Sequence, residues 1–392
     1  MRSIRETRRG LTAKDFVRFG RAIHAPIRFL SAALLTGSLA SCASVQPLKP
    51  GEALTETQRS DAIRRASVWT AIDTPSVDIK KGPEIQGAFE FDQWVDCVYK
   101  EKEMSGASAK FTCVVGPDRE LKAKYGANNP EVFGEVLTSR LFWALGFAAD
   151  AMFPVRVRCN GCSADPRHDP KRKAGTQYFP FAVIEMKLPG RAMEIHQDSG
   201  WDWSELDSIG PDAPKDARAH RDALKLLAAF VQHGDSRAGN QRLLCPAGEE
   251  DGPLGCRSPV MMVHDMGLTF GKATRLDKSK SAVDLEKWAG VSVWEDPTKC
   301  VADLKNSYFG RFHDPTISEA GRAFLADRLN QLSDTQLRDL FEAARVHHHE
   351  LEPGVAPARK IDDWVKVFKT KRDQISAARC PDGEPTQTAS GR

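Results

Sequence analysis

The chain has 392 residues, of which 41% are hydrophobic, so it can bury an apolar core in one large domain or two modest ones. Its formal net charge of +3 comes from the first 41 residues, since the remainder carries 48 basic and 51 acidic side chains. Binding to nucleic acid requires a basic face. The charge balance therefore excludes nucleic acid as an expected partner.

The N-terminal segment has the features of an export signal. A basic stretch precedes the apolar run 29–40 (FLSAALLTGSLA). That run is too short to span a bilayer but has the length of a signal-peptide core. It ends in LASC, residues 39–42, which resembles the lipobox of bacterial lipoproteins. The resemblance implies that residues 1–41 are a signal peptide and that acylated Cys42 anchors the protein to a membrane of the cell envelope, facing the periplasm or the exterior. The alternative is an uncleaved amphipathic leader with a chance cysteine.

Eight further cysteines remain when Cys42 is set aside, and the even number fits disulfides in an oxidising compartment. We predict at least two disulfides, with Cys245–Cys256 expected first because the loop between these residues is short. Buried free thiols remain an alternative. A zinc site is another, although the spacing of its second cysteine pair is unusual for zinc. The four cysteines of that site would be Cys159, Cys162, Cys245 and Cys256.

The first half of the chain after the signal is rich in strand patterns. Residues 52–69 predict a short amphipathic helix, and the Pro- and Gly-containing residues 70–87 predict a linker. The predicted strands are 89–99, 110–115, 120–125, 153–158 and 178–187. A helix is predicted over 131–145, with Pro130 at its start and Gly146 at its end.

The second half is mainly helical. Residues 222–232 (DALKLLAAFVQ) place apolar side chains at helical spacing, and 259–263 predict a short apolar strand. Further helices are predicted at 318–332, 334–346 and 362–379, followed by a disordered tail, with the histidines 347–349 at an exposed helix end. Strands followed by helices predict an α+β fold with two lobes. The predicted division is signal peptide 1–41, tether and short helix 42–86, N-lobe 87–186, C-lobe 187–346, and C-terminal helix and tail 347–392.

Two polar segments in the second half have the spacing of a phosphoryl-transfer site. The sequence HGDSRAGN, residues 233–240, places Asp235 five residues before Asn240, directly after an apolar helix. The sequence Asp265-Met266-Gly267 follows a short strand 25 residues downstream of Asn240. Kinases use an Asp to orient the acceptor hydroxyl, and an Asn with a second Asp to hold Mg²⁺. The order and spacing of the two segments predict this division of roles.

The remaining parts of such a site have candidates in the first half. The small-residue turn Ser105-Gly106-Ala107-Ser108 lets backbone N–H groups approach phosphate oxygens. Lys122 and Lys124 lie on one face of a strand, so either can contact phosphates. Glu135 lies among apolar neighbours on the next helix, where a carboxylate needs a positive partner.

These motifs together resemble the atypical kinases, namely the phosphatidylinositol 3- and 4-kinases, the HipA toxin kinases and the secretory-pathway Golgi casein kinases. The turn at 105–108 is similar to the Ser/Gly turn of type II phosphatidylinositol 4-kinases, and LKAK, residues 121–124, is similar to their F-K-P-K. The stretch 235–243 resembles their D-x4-N-x-L, and DMGLTF, residues 265–270, resembles their D-N-G-L-A-F. Ala123 stands where these kinases have proline.

The resemblance implies a Mg²⁺- and ATP-dependent kinase acting on an alcohol group. It favours Lys122 as the phosphate contact, fixed by Glu135, with Asp235 as the group that accepts the hydroxyl proton. Asn240 and Asp265 would hold Mg²⁺. The expected hinge, whose backbone groups would hold adenine, consists of Glu185, Met186 and Lys187.

Two functions are compatible with these features. The first is a membrane-anchored phosphotransferase whose acceptor is a lipid, a protein, a sugar or another small molecule. The second is a catalytically inactive kinase-fold lipoprotein that binds a ligand or serves as a scaffold in the cell envelope. The export signal favours the second, because bacterial envelopes hold little ATP. The complete set of polar residues favours the first.

Overall fold

The computed structural model describes residues 53–381, except 173, 212, 215, 275, 278–279, 306–309 and 356–358. The predicted signal peptide, the Cys42 anchor and the start of the tether lie outside the described residues. The helices are α1 (Glu56–Arg65), α2 (Pro130–Ala144), α3 (Ala217–Phe230), α4 (Leu285–Ala289), α5 (Glu319–Asn330), α6 (Asp334–Ala343) and α7 (Ile361–Ala377). The strands are β1 (Trp94–Lys100), β2 (Lys110–Val115), β3 (Arg119–Tyr125), β4 (Ala151–Cys162), β5 (Gly175–Met186), β6 (Gly190–Ala192), β7 (Gln241–Pro246), β8 (Glu250–Asp251), β9 (Gly255–Cys256), β10 (Val260–Val263), β11 (Trp294–Asp296) and β12 (Val301–Ala302). The predicted α+β class is confirmed.

The first five strands form a closed barrel in the order β1-β2-β3-β5-β4. Neighbouring strands of the barrel are antiparallel, except that β1 and β4 run parallel where the barrel closes. Alternate side chains such as Phe111, Cys113 and Ala123 fill the interior as a separate apolar cluster. Because side chains alternate along a strand, Lys122 and Lys124 lie on the outer face of the barrel.

Helix α2 connects β3 to β4 and is almost completely enclosed. Its N-terminus is capped by Asn129, whose side chain accepts a hydrogen bond from the Glu131 backbone N–H, and Pro130 occupies the first turn. Gly146, with φ 88°, follows the last turn. Of its 15 residues 12 are buried, including the polar Glu135 and Arg140. A helix buried on all sides holds its polar side chains at fixed positions, which is what a site requires.

The rest of the described chain packs around a second, larger apolar cluster. Helices α3, α5, α6 and α7 contribute to it, and its largest side chains are the fully buried Trp201, Trp203, Trp288 and Trp364. A small sheet in the order β10-β7-β6 lies beside them. Its antiparallel register pairs Gln241 with Val263, so the residues just before β7 and just after β10 are neighbours.

Two expectations from the sequence are wrong in detail. The stretch 70–87 is not a free linker, because Ile79 is fully buried and its carbonyl accepts a 2.7 Å hydrogen bond from Arg140 Nη1. Thr74 Oγ1 likewise donates to Ala144 O at 2.9 Å. His349 is buried rather than exposed, with Nδ1 3.1 Å from Val283 O, and burial lowers its pKa to about 4.

Eight cysteines lie in four pairs at disulfide distance, with Cα atoms 5.4 to 5.7 Å apart. The expected Cys245–Cys256 pair is among them. The cysteine geometry therefore agrees with the prediction of at least two disulfides. The alternative zinc site is wrong, because its four cysteines form two separate pairs. The pairs are Cys97–Cys113, Cys159–Cys162, Cys245–Cys256 and Cys300–Cys380.

Among the described residues, no helix combines the length and the apolar character that crossing a membrane requires.

Replacing both Cys300 and Cys380 by Ser should lower the free energy of unfolding by about 4 kcal/mol, because this pair spans 80 residues and loop entropy grows with length. The matched double change at Cys159 and Cys162, which are three residues apart, should cost clearly less. Urea denaturation of the oxidised proteins measures both. Peptide mapping without reduction should recover the four pairs, whereas eight free thiols in protein from an oxidising compartment would contradict them.

Candidate active site

The site is built around Lys124, which lies near the end of β3 and is only 2% exposed. Its ammonium group forms an ion pair with Glu135 and lies 2.5 Å from Glu131 Oε2, both on α2. It also lies 3.9 Å from Asp265 Oδ1, just after β10. One lysine therefore connects the barrel, helix α2 and the segment that follows the small sheet.

The charges in this cluster depend on one another. Burial alone would lower the pKa of Lys124, but Glu131, Glu135 and Asp265 raise it well above its ordinary value. Burial raises the pKa of Glu135 to about 8, although Lys124 acts in the opposite direction. The surrounding protein would also raise the pKa of Asp265, but Lys124 and His264 more than compensate, so this pKa lies well below its usual range. Lys124 is therefore cationic and Asp265 ionised at neutral pH.

Glu131, Glu135 and Asp265 each offer a carboxylate oxygen, and these oxygens lie within 4.8 Å of one another. Glu135 Oε2 is buried and has no hydrogen-bond partner among the described residues. Carboxylate oxygens are the ligands that Mg²⁺ prefers. Glu131 and Glu135 are paired with the Lys124 ammonium group, so Asp265, whose side chain is 38% exposed, is the carboxylate of the three that fits a divalent cation.

The Asp235–Asn240 segment lies against the same cluster. Asn240 Nδ2 donates to the Asp235 carbonyl at 2.9 Å, and the Asn240 carbonyl accepts from the His264 backbone N–H at 3.0 Å. Burial raises the pKa of Asp235, which is 6% exposed, and its Oδ2 accepts a 2.9 Å hydrogen bond from Arg237. The structure therefore brings together the segments that carry Asp235, Asn240 and Asp265. The catalytic and metal-binding roles of these residues stay predictions.

The turn at 105–108 lies between β1 and β2 and is held by Arg167, which lies in the connection between β4 and β5. This side chain donates to the Met104 carbonyl at 2.9 Å and also to the Gly106 carbonyl. Gly106 has φ 78°, which a residue with a Cβ rarely adopts. The turn can therefore present backbone N–H groups, but its contact with phosphate stays a prediction.

Sequence reasoning missed Lys110, the first residue of β2. It pairs in register with Lys124, and its Nζ would lie 2.9 Å from a Cβ built on Gly106, so the ammonium group reaches back to the turn. Burial and then Lys124 lower the pKa of Lys110. No carboxylate within the described part of the chain forms an ion pair with it. The sequence did contain a signal for Lys110. It lies two residues before Thr112 and therefore on the same face of β2, and this face adjoins the face of β3 that carries Lys122 and Lys124.

The predicted pairing of Lys122 with Glu135 is wrong. Lys122 instead forms an ion pair with Glu185 on β5. The register explains the difference, because Ala123 opposes Ile184 and this places Lys122 beside Glu185, while α2 packs over Lys124. A phosphate contact of Lys122 itself stays a prediction.

The predicted hinge residues lie where β5 ends. The side chain of Glu185 faces Lys122, Met186 is 9% exposed and closes the strand, and Lys187 is exposed. The Leu188 backbone N–H donates to Asp150 Oδ1 at 2.9 Å. Backbone contacts of this segment with adenine stay a prediction.

No family model matches the chain, and no curated protein matches it in sequence. Among solved structures, the chain is similar to the crystal structure of a Helicobacter pylori proinflammatory kinase, CtkA. The identity is 10%, the match covers 73% of this chain and 94% of that chain, and the TM-score is 0.36.

Changing Lys124 to Met should lower the free energy of unfolding by about 3 kcal/mol, because it leaves the buried Glu135 and its acidic neighbours without a cation. Lys110→Met is the matched control, since Lys110 lies opposite on the same face without a carboxylate partner. The control should change stability by less than about 1 kcal/mol. Urea denaturation at neutral pH measures both. Equal losses would contradict the central place of Lys124.

Proposed function

We propose that the protein is a Mg²⁺-dependent phosphotransferase with a two-lobed kinase-like fold, which transfers a phosphoryl group from a purine nucleoside triphosphate to an alcohol. The observation that carries this proposal is the convergence of Lys124, Glu135, Asp235, Asn240 and Asp265. These residues come from four separate segments of the chain, and phosphoryl transfer needs little beyond such positioning and charge. ATP is the donor that the sequence resemblance implies.

Each residue has a role that follows from its surroundings. Asp265 and Asn240 would hold Mg²⁺, which neutralises charge on the phosphates when bound. Lys124 would donate to phosphate oxygens from the position in which Glu135 holds it. Lys110 would add a second cation at the turn.

Asp235 is the group that would orient the acceptor hydroxyl and accept its proton. Its Oδ1 has no hydrogen-bond partner among the described residues, while Oδ2 is held by Arg237. Burial raises its pKa, which makes the carboxylate a better proton acceptor. The acceptor is an alcohol of a lipid, a protein, a sugar or another small molecule.

We further propose that the phosphotransferase acts in the cell envelope, anchored through Cys42. The support is the LASC sequence after an apolar run and the presence of four cysteine pairs at disulfide distance, which suits an oxidising compartment. Nucleotide must then be supplied where the protein resides. A kinase-like protein that only binds its ligand is the alternative.

Asp265→Asn should abolish metal-dependent nucleotide binding while the fold survives, because an amide of nearly the same size lacks the charge that attracts Mg²⁺. Asp235→Asn should retain nucleotide binding and lose phosphoryl transfer, because it removes only the proton acceptor. Thermal-shift titration with Mg²⁺ and ATP or GTP measures binding, and transfer of labelled phosphate to a candidate acceptor measures activity.

Asp296→Asn is a suitable control for loss of an acidic side chain, since Asp296 lies on β11 outside the cluster. Wild-type binding strength in Asp265→Asn would remove this residue from the metal site. Absence of binding of either nucleotide to the wild type at millimolar concentration would refute the phosphotransferase proposal.

Cys42→Ala should release the protein from the membrane fraction, because the acyl chains would have no attachment site. Cell fractionation and immunoblotting measure the distribution. Ser44→Ala, two residues further along, is the control and should remain membrane-bound. A Cys42→Ala protein that sediments with membranes like the wild type would contradict the lipid anchor.

A further inference from the structure

A second charged cluster lies beside the first and takes no part in the roles assigned above. Asp150 lies directly before β4, and its Oδ2 is 3.5 Å from Arg242 Nη1 and 4.0 Å from His264 Nδ1. Glu185 offers a carboxylate oxygen within 4.8 Å of the ligand atoms of Asp150 and His264, and it pairs with Lys122. These five residues, here called the polar end of the site, come from five separate stretches of the chain.

The polar end is continuous with the proposed phosphate and metal region. Lys122 precedes Lys124 by two residues on the same strand face, and His264 directly precedes Asp265. The two regions also interact electrostatically, because Lys122 and His264 lower the pKa of Asp265. In the proposed function the phosphate groups lie at Lys110, Lys124 and the turn. A nucleotide bound there would therefore direct its base toward the polar end, where the chain leaves β5.

The side chains at this end are unusual for binding a base by apolar contact. The side chain of Glu185 is 6% exposed, that of Arg242 12% and that of His264 20%. These groups are paired with one another, Glu185 with Lys122 and Arg242 with Asp150. A base that displaces one of these partners must replace the lost interaction with a hydrogen bond, since buried charges without partners are costly. The polar end offers carboxylate acceptors beside cationic donors.

Guanine matches this arrangement better than adenine. Its N1–H and N2 amino group are adjacent donors that one carboxylate accepts together, and its O6 and N7 accept from Arg or Lys. Adenine has an unprotonated N1 at the same position, which would face a carboxylate with its lone pair. The difference is one of hydrogen-bond pattern, which discriminates more strongly than apolar contact does.

Glu185 is better placed than Asp150 to contact the base. Asp150 has a fully buried side chain, whereas that of Glu185 is 6% exposed. Asp150 Oδ1 accepts from the Leu188 backbone N–H, and Oδ2, without a hydrogen-bond partner among the described residues, lies 3.5 Å from Arg242 Nη1. Glu185 is held by Lys122, whose side chain is 34% exposed and can move toward the phosphates.

We propose that guanine is the preferred base of the bound nucleotide and that Glu185 determines this specificity by accepting hydrogen bonds from N1–H and the N2 amino group. This inference rests on the proposed function, since it concerns the donor nucleotide of the same site. Arg242 supplies the donors for O6 and N7.

Competition binding with the wild-type full-length protein and Mg²⁺ tests the inference without any substitution. GTP should bind about tenfold or more tightly than ATP, because each good base contact contributes a factor of this order. Inosine triphosphate keeps N1–H and O6 but lacks the 2-amino group, so its affinity should lie between the two. ATP binding as tightly as GTP, or more tightly, would overturn the inference and leave the phosphotransferase proposal intact. Binding of no nucleotide would overturn both.

Glu185→Gln tests the assignment to one residue. The amide can accept only one of the two guanine hydrogen bonds, so the GTP-to-ATP affinity ratio should fall about tenfold. The ratio is the proper readout because release of Lys122 affects both triphosphates equally. Glu120→Gln is the control, since Glu120 lies on β3 but pairs with Lys100 and is exposed. An unchanged ratio in Glu185→Gln would overturn the role of Glu185.

Discussion

The site depends on one buried ammonium group, that of Lys124, among three carboxylates. Placing these charges inside the protein costs solvation energy, and a well-packed apolar cluster would stabilise a fold as well or better. Such a cluster is therefore better explained by a ligand that uses the charges than by stability. Because Lys124 lies on β3 and pairs with α2 and the segment after β10, its ion pairs fix Glu131, Glu135 and Asp265 relative to the barrel.

Close packing between α2 and the segment 265–269 supports the same arrangement. A Cβ built on Gly134 would lie 2.4 Å from the Gly267 carbonyl oxygen, and one built on Gly267 would lie 2.5 Å from Glu131 Cγ. One turn further along α2, the hydroxyl groups of Thr138 and Thr269 are 2.6 Å apart in the core. The two glycines let the helix approach the chain next to Asp265 and so hold Glu135 against Lys124.

The sequence predicted those parts of the fold that have local signals. Helix α3 was predicted from apolar spacing, and the candidates Asp235, Asn240 and Asp265 came from spacing within short segments. The partner of Glu135 was wrongly predicted as Lys122, because Lys122 and Lys124 share a strand face and only the packing of α2 selects Lys124.

Closure of the barrel through β1 and β4 could not be predicted from the sequence either, since it depends on pairing between distant segments.

The central claim is that the site binds Mg²⁺ and a nucleoside triphosphate together. Mn²⁺ electron paramagnetic resonance tests it most directly, because Mn²⁺ replaces Mg²⁺ at oxygen ligands. With the wild-type protein and GTP or ATP carrying ¹⁷O in the phosphates, the account predicts a protein-bound Mn²⁺ signal broadened by ¹⁷O that disappears in Asp265→Asn. A wild-type spectrum identical to that of Mn²⁺ and nucleotide without protein would contradict it.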